Sequence, residues 1–137
     1  MAKTEIEIER DFYHLVKDST LGQSIRGKVY RRGKRPDNSK QEDIIAGKHL
    51  SGLDEQIQNG IVIINVYVPY ISEDSGRMVE DLNRIEELQS LANGLITDYE
   101  GTDYYLTKDG TPKSYPQPDL EQTIIAIRIK YQRLNQE

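Results

Sequence analysis

The chain has 137 residues, 36% hydrophobic and 30% charged, with 18 basic and 23 acidic side chains giving a net charge of −5. It carries no cysteine and only two histidines, His14 and His49, which excludes a disulfide framework, a thiolate nucleophile, a cysteine-held cluster and a multi-histidine metal site. The length suits a single domain over residues 1–137, able to bury roughly two-thirds of its unfolded surface.

Ile8, Phe12, Leu15 and Val16 recur at i, i+4, i+7 and i+8, one face of a helix, and Thr4 followed by Glu7 is a capping-box pattern at its start. Ile6-Glu7-Ile8-Glu9 also alternates as a short strand does, but the longer period predicts a helix over residues 5–17, ending before Ser19-Thr20-Leu21-Gly22. Residues 24–32 read as a strand, with Ile25, Gly27 and Val29 on one face and Arg26, Lys28 and Tyr30 on the other. The stretch from Arg32 to Ser39, with Gly33, Pro36, Asp37 and Asn38, is a loop by its turn chemistry. Its cations repel one another and favour an extended, solvated chain. Residues 42–50 form a second strand centred on Ile44 and Ile45.

Residues 60–70 form the clearest strand, Ile61-Val62-Ile63-Ile64-Asn65-Val66-Tyr67-Val68, apolar on both faces. That pattern predicts a central strand covered on both sides by helix, sheet or a neighbouring subunit, and Pro69 marks its end. Met78, Leu82, Ile85, Leu88, Ala92, Leu95 and Ile96 predict a long amphipathic helix, N-capped by Ser75 and irregular at Asn93-Gly94. Residues 104–107 read as a strand, followed by a turn at Lys108-Asp109-Gly110-Thr111 and an extended, proline-rich connector over residues 112–118. The last strand covers residues 123–133, with Thr123, Ile125, Ile127, Ile129 and Tyr131 on one face and Arg128, Lys130 and Gln132 on the other. The order α-β-β-β-α-β-β with short connections predicts an α+β fold, a single mainly antiparallel sheet with two helices packed on one face.

The charge is unevenly spread. Between Arg26 and Lys40 lie seven cations and one acid, Asp37; between Glu73 and Glu87 lie six acids and two arginines. Read plainly, these are two solvated faces. Read as complementary potentials, they steer one copy of the molecule onto another and fix its register. The longest apolar stretch, Ile61 to Val68, is broken by Asn65 and falls short of the ~20 residues of a membrane helix. Met1-Ala2-Lys3-Thr4-Glu5 lacks the apolar run of a signal peptide, so a cytoplasmic origin is expected.

Catalytic patterns are sparse. Gly47-Lys48-His49 lacks the upstream glycine and the following hydroxyl of a phosphate-cradling loop, and no serine sits in a Gly-x-Ser-x-Gly elbow. Glu42 and Asp43, with Asp37 and Lys48, are the nearest thing to a magnesium-dependent nuclease set. Strand alternation puts Glu42 and Asp43 on opposite faces, which favours a salt-bridge pair anchoring the basic loop. Nine tyrosines against one phenylalanine and no tryptophan suit interfaces, where a large ring carries a polar tip. Tyr13, Tyr30, Tyr67, Tyr70, Tyr104, Tyr105 and Tyr131 fall mostly on the surfaces of these elements. A base-stacking platform interleaves such rings with cations, and only Tyr30 sits in the basic stretch.

Three runs carry a resemblance: Gly27-Lys28-Val29-Tyr30; Arg35-Pro36-x-Asn38-Ser39-x-x-Glu42-Asp43-Ile44; and Gln58-x-Gly60-Ile61-Val62-Ile63-Ile64-Asn65-Val66-Tyr67-Val68-Pro69. With the element order, they resemble small proteins of bacteriophages and prophages related to the tail-terminator (tail-completion) and neck proteins of long-tailed phages. The resemblance implies a non-catalytic assembly protein that forms a ring, commonly a hexamer, with no cofactor and no metal. Its implied partners are copies of itself, the tail tube and the head connector, first in the host cytoplasm and then in the virion. Candidate interface residues are Arg31, Arg32, Lys34, Arg35 and Asn38 of the loop, Glu42 and Asp43 beside it, and Glu80, Asp81 and Glu87 of the acidic stretch. Ring contacts are heterologous, so one patch must match a different one on the next copy. The alternatives are loop cations that touch DNA phosphates in a lumen, a nucleic-acid-binding module built on residues 26–40, and the nuclease.

Overall fold

A computed structural model describes residues 2–54 and 56–134. The first helix, α1 (Glu5–Asp18), starts as the sequence predicts: the Glu7 N–H donates to Thr4 Oγ1 and the Thr4 N–H to the Glu7 carboxylate. The expected loop after it is a short second helix, α2 (Thr20–Ser24). Ser19 ends one helix and caps the other, its hydroxyl accepting the Gly22 N–H at 3.0 Å.

The strand expected over residues 24–32 shrinks to β1 (Val29–Tyr30). The backbone donors before it go elsewhere: Arg26 N–H to the Glu42 carboxylate, Gly27 N–H to the Glu42 carbonyl, Lys28 N–H to the Asp43 carboxylate. Two acids thus take the place of a ladder. A Cβ at Gly27 would lie 2.1 Å from Asp43 Oδ1, so only glycine lets the chain approach this closely.

Next come β2 (Asp43–Asp54) and β3 (Ile57–Pro69), a long antiparallel hairpin. β2 is irregular between Ile45 and Lys48 and between His49 and Ser51. Gly47, at φ +82°, makes the first irregularity, and the Glu9 carboxylate of α1 accepts the freed His49 N–H at 2.9 Å. Two further strands, β4 (Ile71–Ser72) and β5 (Met78–Val79), form a small separate hairpin. Met78 therefore lies in a strand and not in the helix the sequence predicts. That helix, α3 (Leu82–Asn93), starts at Asp81, whose carboxylate accepts the Arg84 N–H, and not at Ser75. Gly94 interrupts it where irregularity is expected, and α4 (Leu95–Asp98) follows.

β6 (Tyr105–Lys108), β7 (Lys113–Gln117) and β8 (Gln122–Leu134) complete the sheet. The expected connector is β7. Pro116 costs little in a strand whose outer edge is unpaired. The main sheet runs β1-β2-β3-β8-β6, and β6 and β7 share β8 end to end. All pairs are antiparallel except β1–β2, which is parallel, against the expectation that neighbours alternate. The fold is α+β with a mainly antiparallel sheet, as the sequence predicts.

Every helix lies on one face of that sheet. Ile8, Phe12 and Val16 of α1, Leu21 of α2, Ile85, Leu88 and Ala92 of α3 and Leu95 of α4 pack on Ile44, Val62, Ile64, Val66, Ile125, Ile127 and Ile129. Tyr104 and Tyr131, expected on the surface, are buried: with Phe12 they form edge-on and tilted ring contacts at 5.7–6.1 Å. Leu82 and Met78, expected on the buried helix stripe, are 67% and 42% exposed.

Candidate functional site

The basic loop, residues 31–41, is tied down by one carboxylate. Asp43 is 1% exposed. Its Oδ1 accepts the Lys28 N–H at 2.9 Å, and its Oδ2 accepts Ser39 Oγ at 2.7 Å and Arg35 Nε at 3.0 Å. Arg35 also donates to the carbonyls of Ser39 and Gln41, and its guanidinium lies 4.1 Å from the centre of the Tyr67 ring. The loop is held across the sheet end rather than extended, because these partners outweigh the mutual repulsion of its cations.

Glu42 points the other way. Arg84 of α3 grips it with two nitrogens, Nε at 2.9 Å and Nη2 at 2.6 Å, and the Arg26 N–H adds a third hydrogen bond. The Glu42 hydrogen bonds raise the Arg84 pKa above the ordinary guanidinium range. Arg84 also donates to the Ser24 carbonyl and to Glu87, joining α2, α3 and β2.

The candidate interface residues therefore divide. Glu42, Asp43 and Arg35 are engaged inside the chain. Glu80 accepts Thr123 Oγ1 at 2.7 Å, Asp81 caps α3 and Glu87 pairs with Arg84. Arg31 donates to the Ile6 carbonyl, and Arg32 lies 3.3 Å from Glu9 and 3.7 Å from Glu5. Lys34, Asn38 and Lys40 are exposed. Around Asn38, Lys40, Tyr67 and Leu120 the loop borders a recess of about 330 Å³.

The sheet face away from the helices is open. Strand registry places Leu53, Ile57, Asn59, Ile61, Ile63, Asn65 and Tyr67 of the β2–β3 hairpin on it, beside Ile124, Ala126, Arg128, Lys130, Gln132 and Leu134 of β8. Tyr105 and Thr107 of β6 and Lys113 and Tyr115 of β7 complete it. Its centre is half-buried, while Leu53, Ile57, Tyr105, Tyr115 and Leu134 are 50–67% exposed. Lys48, Lys113, Arg128 and Lys130 are exposed on it, Asp109 pairing with Arg128 at 2.8 Å and with Lys130 at 3.7 Å. The apolar run of β3 predicts cover on both faces, and in a single copy the helices cover only one; the pairing of Arg84 with Glu42 had no signal in the sequence.

On the helix side, α1 and α4 border a cleft of about 640 Å³ with Asp11, Asp18, Asp98, Glu100 and Asp103 on its walls. Asp11 accepts both Lys3 Nζ and Tyr104 Oη at 2.6 Å, and Asp98 accepts the Thr20 N–H. Among the described residues, no three His, Asp or Glu side chains are grouped to hold a metal ion, and no helix is long and apolar enough to cross a membrane. No family model matches the chain, and no curated protein matches it significantly.

Proposed function

We propose that this chain is a non-catalytic virion assembly protein, a ring-forming tail terminator or head–tail joining component, acting by fit against its own copies and against tail-tube or connector proteins. The observation that carries the reading is the open sheet face: large apolar side chains beside cations, uncovered in a single copy. Burying such side chains between copies stabilises association by about 1.5–3 kcal/mol for each one fully covered, and cations beside them set the register. The charged residues that catalysis would call on, Glu42, Asp43, Arg35 and Arg84, are consumed in holding the fold together.

The test is sedimentation velocity with negative-stain microscopy over a concentration series, alone and with a tail-tube protein of a long-tailed phage. Closed rings, or rings capping tubes, are expected; a monomer under every condition overturns the reading. A second reading, a nucleic-acid contact through the loop, is favoured by the exposed Lys34 and by Lys40 at the recess. It predicts binding that falls steeply with salt and weakens as each cation is removed.

A further inference from the structure

Two apolar surfaces that one copy leaves uncovered lie at opposite ends of β3. At the Pro69 end, Met78 of the β4–β5 hairpin and Leu82 at the start of α3 are exposed around a recess of about 590 Å³, and Ile71 is exposed on the other face of the hairpin. This projecting arm is acidic. Glu73 and Asp74 stand at its tip, where Arg77 pairs with Glu73, and Glu80 and Asp81 stand at its base. At the Ile57 end, Leu53, Ile61 and Tyr105 line a depression of about 540 Å³ on the open face, and Ile57 and Leu134 are exposed on the same face beyond it. Lys130 stands on its wall, and Arg128 and Lys48 are exposed farther along the same face, with Asp109 pairing with Arg128 and Lys130.

We propose that copies of this chain join head to tail, the acidic arm around Met78 and Leu82 of one copy seating in the depression around Leu53, Ile61 and Tyr105 of the next, beside Lys130. The inference rests on the assembly reading and names the contact that reading requires. Both surfaces are apolar at the centre and opposite in charge at the rim, the arrangement that buries area and fixes orientation together. They cannot meet within one molecule: twelve residues of extended strand separate Ile57 from Pro69, about 40 Å. They also differ from one another, so the contact is heterologous and repeats, closing into a ring when the rotation per copy permits.

Two double variants test this, each changing only exposed side chains so that the fold is retained, which circular dichroism checks. M78S/L82S disables the arm and L53S/Y105S disables the depression. Each alone is expected to weaken self-association by roughly a hundredfold, from the loss of two buried apolar side chains. An equimolar mixture holds one intact arm and one intact depression, and is expected to give heterodimers and nothing larger. If only one variant fails to assemble, or if both assemble like the wild type, the contact is elsewhere and this proposal is overturned while the assembly reading stands. If the depression variant loses binding to a single-stranded oligonucleotide instead, the occupant is nucleic acid and the proposal is overturned. A wild-type chain that never associates overturns both.

Discussion

Glu42 sits inside the protein because Arg84 reaches it from another element. A bidentate pair with a further backbone donor satisfies the carboxylate, but desolvating both ions leaves little net gain. The strong effect lies in breaking one side. Arg84→Met is expected to cost about 3–5 kcal/mol by stranding a buried charge, read as a lower urea midpoint at unchanged slope. The companion change Glu42→Leu in the same chain is expected to restore most of it. The phenols make a second test. Burial pushes Tyr131 up to about 12, and burial together with the Asp11 carboxylate pushes Tyr104 up as well. An unfolded tyrosine ionises near ~10. The stabilisation from these neutral phenols is therefore complete below that pH and is lost as the pH climbs through the folded values. Tyrosinate absorbance should show these two rings ionising only as far-ultraviolet circular dichroism collapses.

Among the elements, the basic loop is the one whose order depends on a single residue. Asp43→Ala removes the acceptor for Lys28, Ser39 and Arg35 together, and is expected to lower the opening free energy of residues 31–41 by ~2 kcal/mol. Amide exchange should show the loss confined to the loop while β3 and β8 stay protected. Element by element, the sequence was legible where periodicity and burial agree: α1 with its capping box, the central position of β3, and the shared face of Thr123, Ile125, Ile127 and Ile129 in β8. It was misleading where a partner far along the chain decides. Residues 24–28 have a strand's alternation, yet the acids at 42 and 43 take their backbone donors. Met78 and Leu82 continue the helical period of Ile85 and Leu88, but Asp81 starts the helix late and leaves both on the arm. Pro112 to Pro118 looks like a connector because proline resists a ladder, and the sheet accommodates it by using only one edge. Of the candidate site, the opposite facing of Glu42 and Asp43 was readable from strand alternation; the identity of the cations that hold them was not.

For the whole molecule, the balance of apolar and charged contact is what salt can weigh. If copies meet through the apolar centres with charged rims, raising salt from low to about 0.5 M weakens association by less than ~tenfold, since exposed pairs contribute ~0–1 kcal/mol each. A phosphate contact through the loop would lose roughly a thousandfold or more over a comparable change. Sedimentation equilibrium at several ionic strengths separates the two. The way β8 is flanked has a further consequence. β6 and β7 divide one border of the sheet between them, the second interrupted by Pro116, while α1 lays Glu9 against the other. Neither border offers a long run of free amides and carbonyls on which a stray strand could template cross-β growth. If copies assemble as proposed, such borders let the broad surfaces be sticky without seeding amyloid.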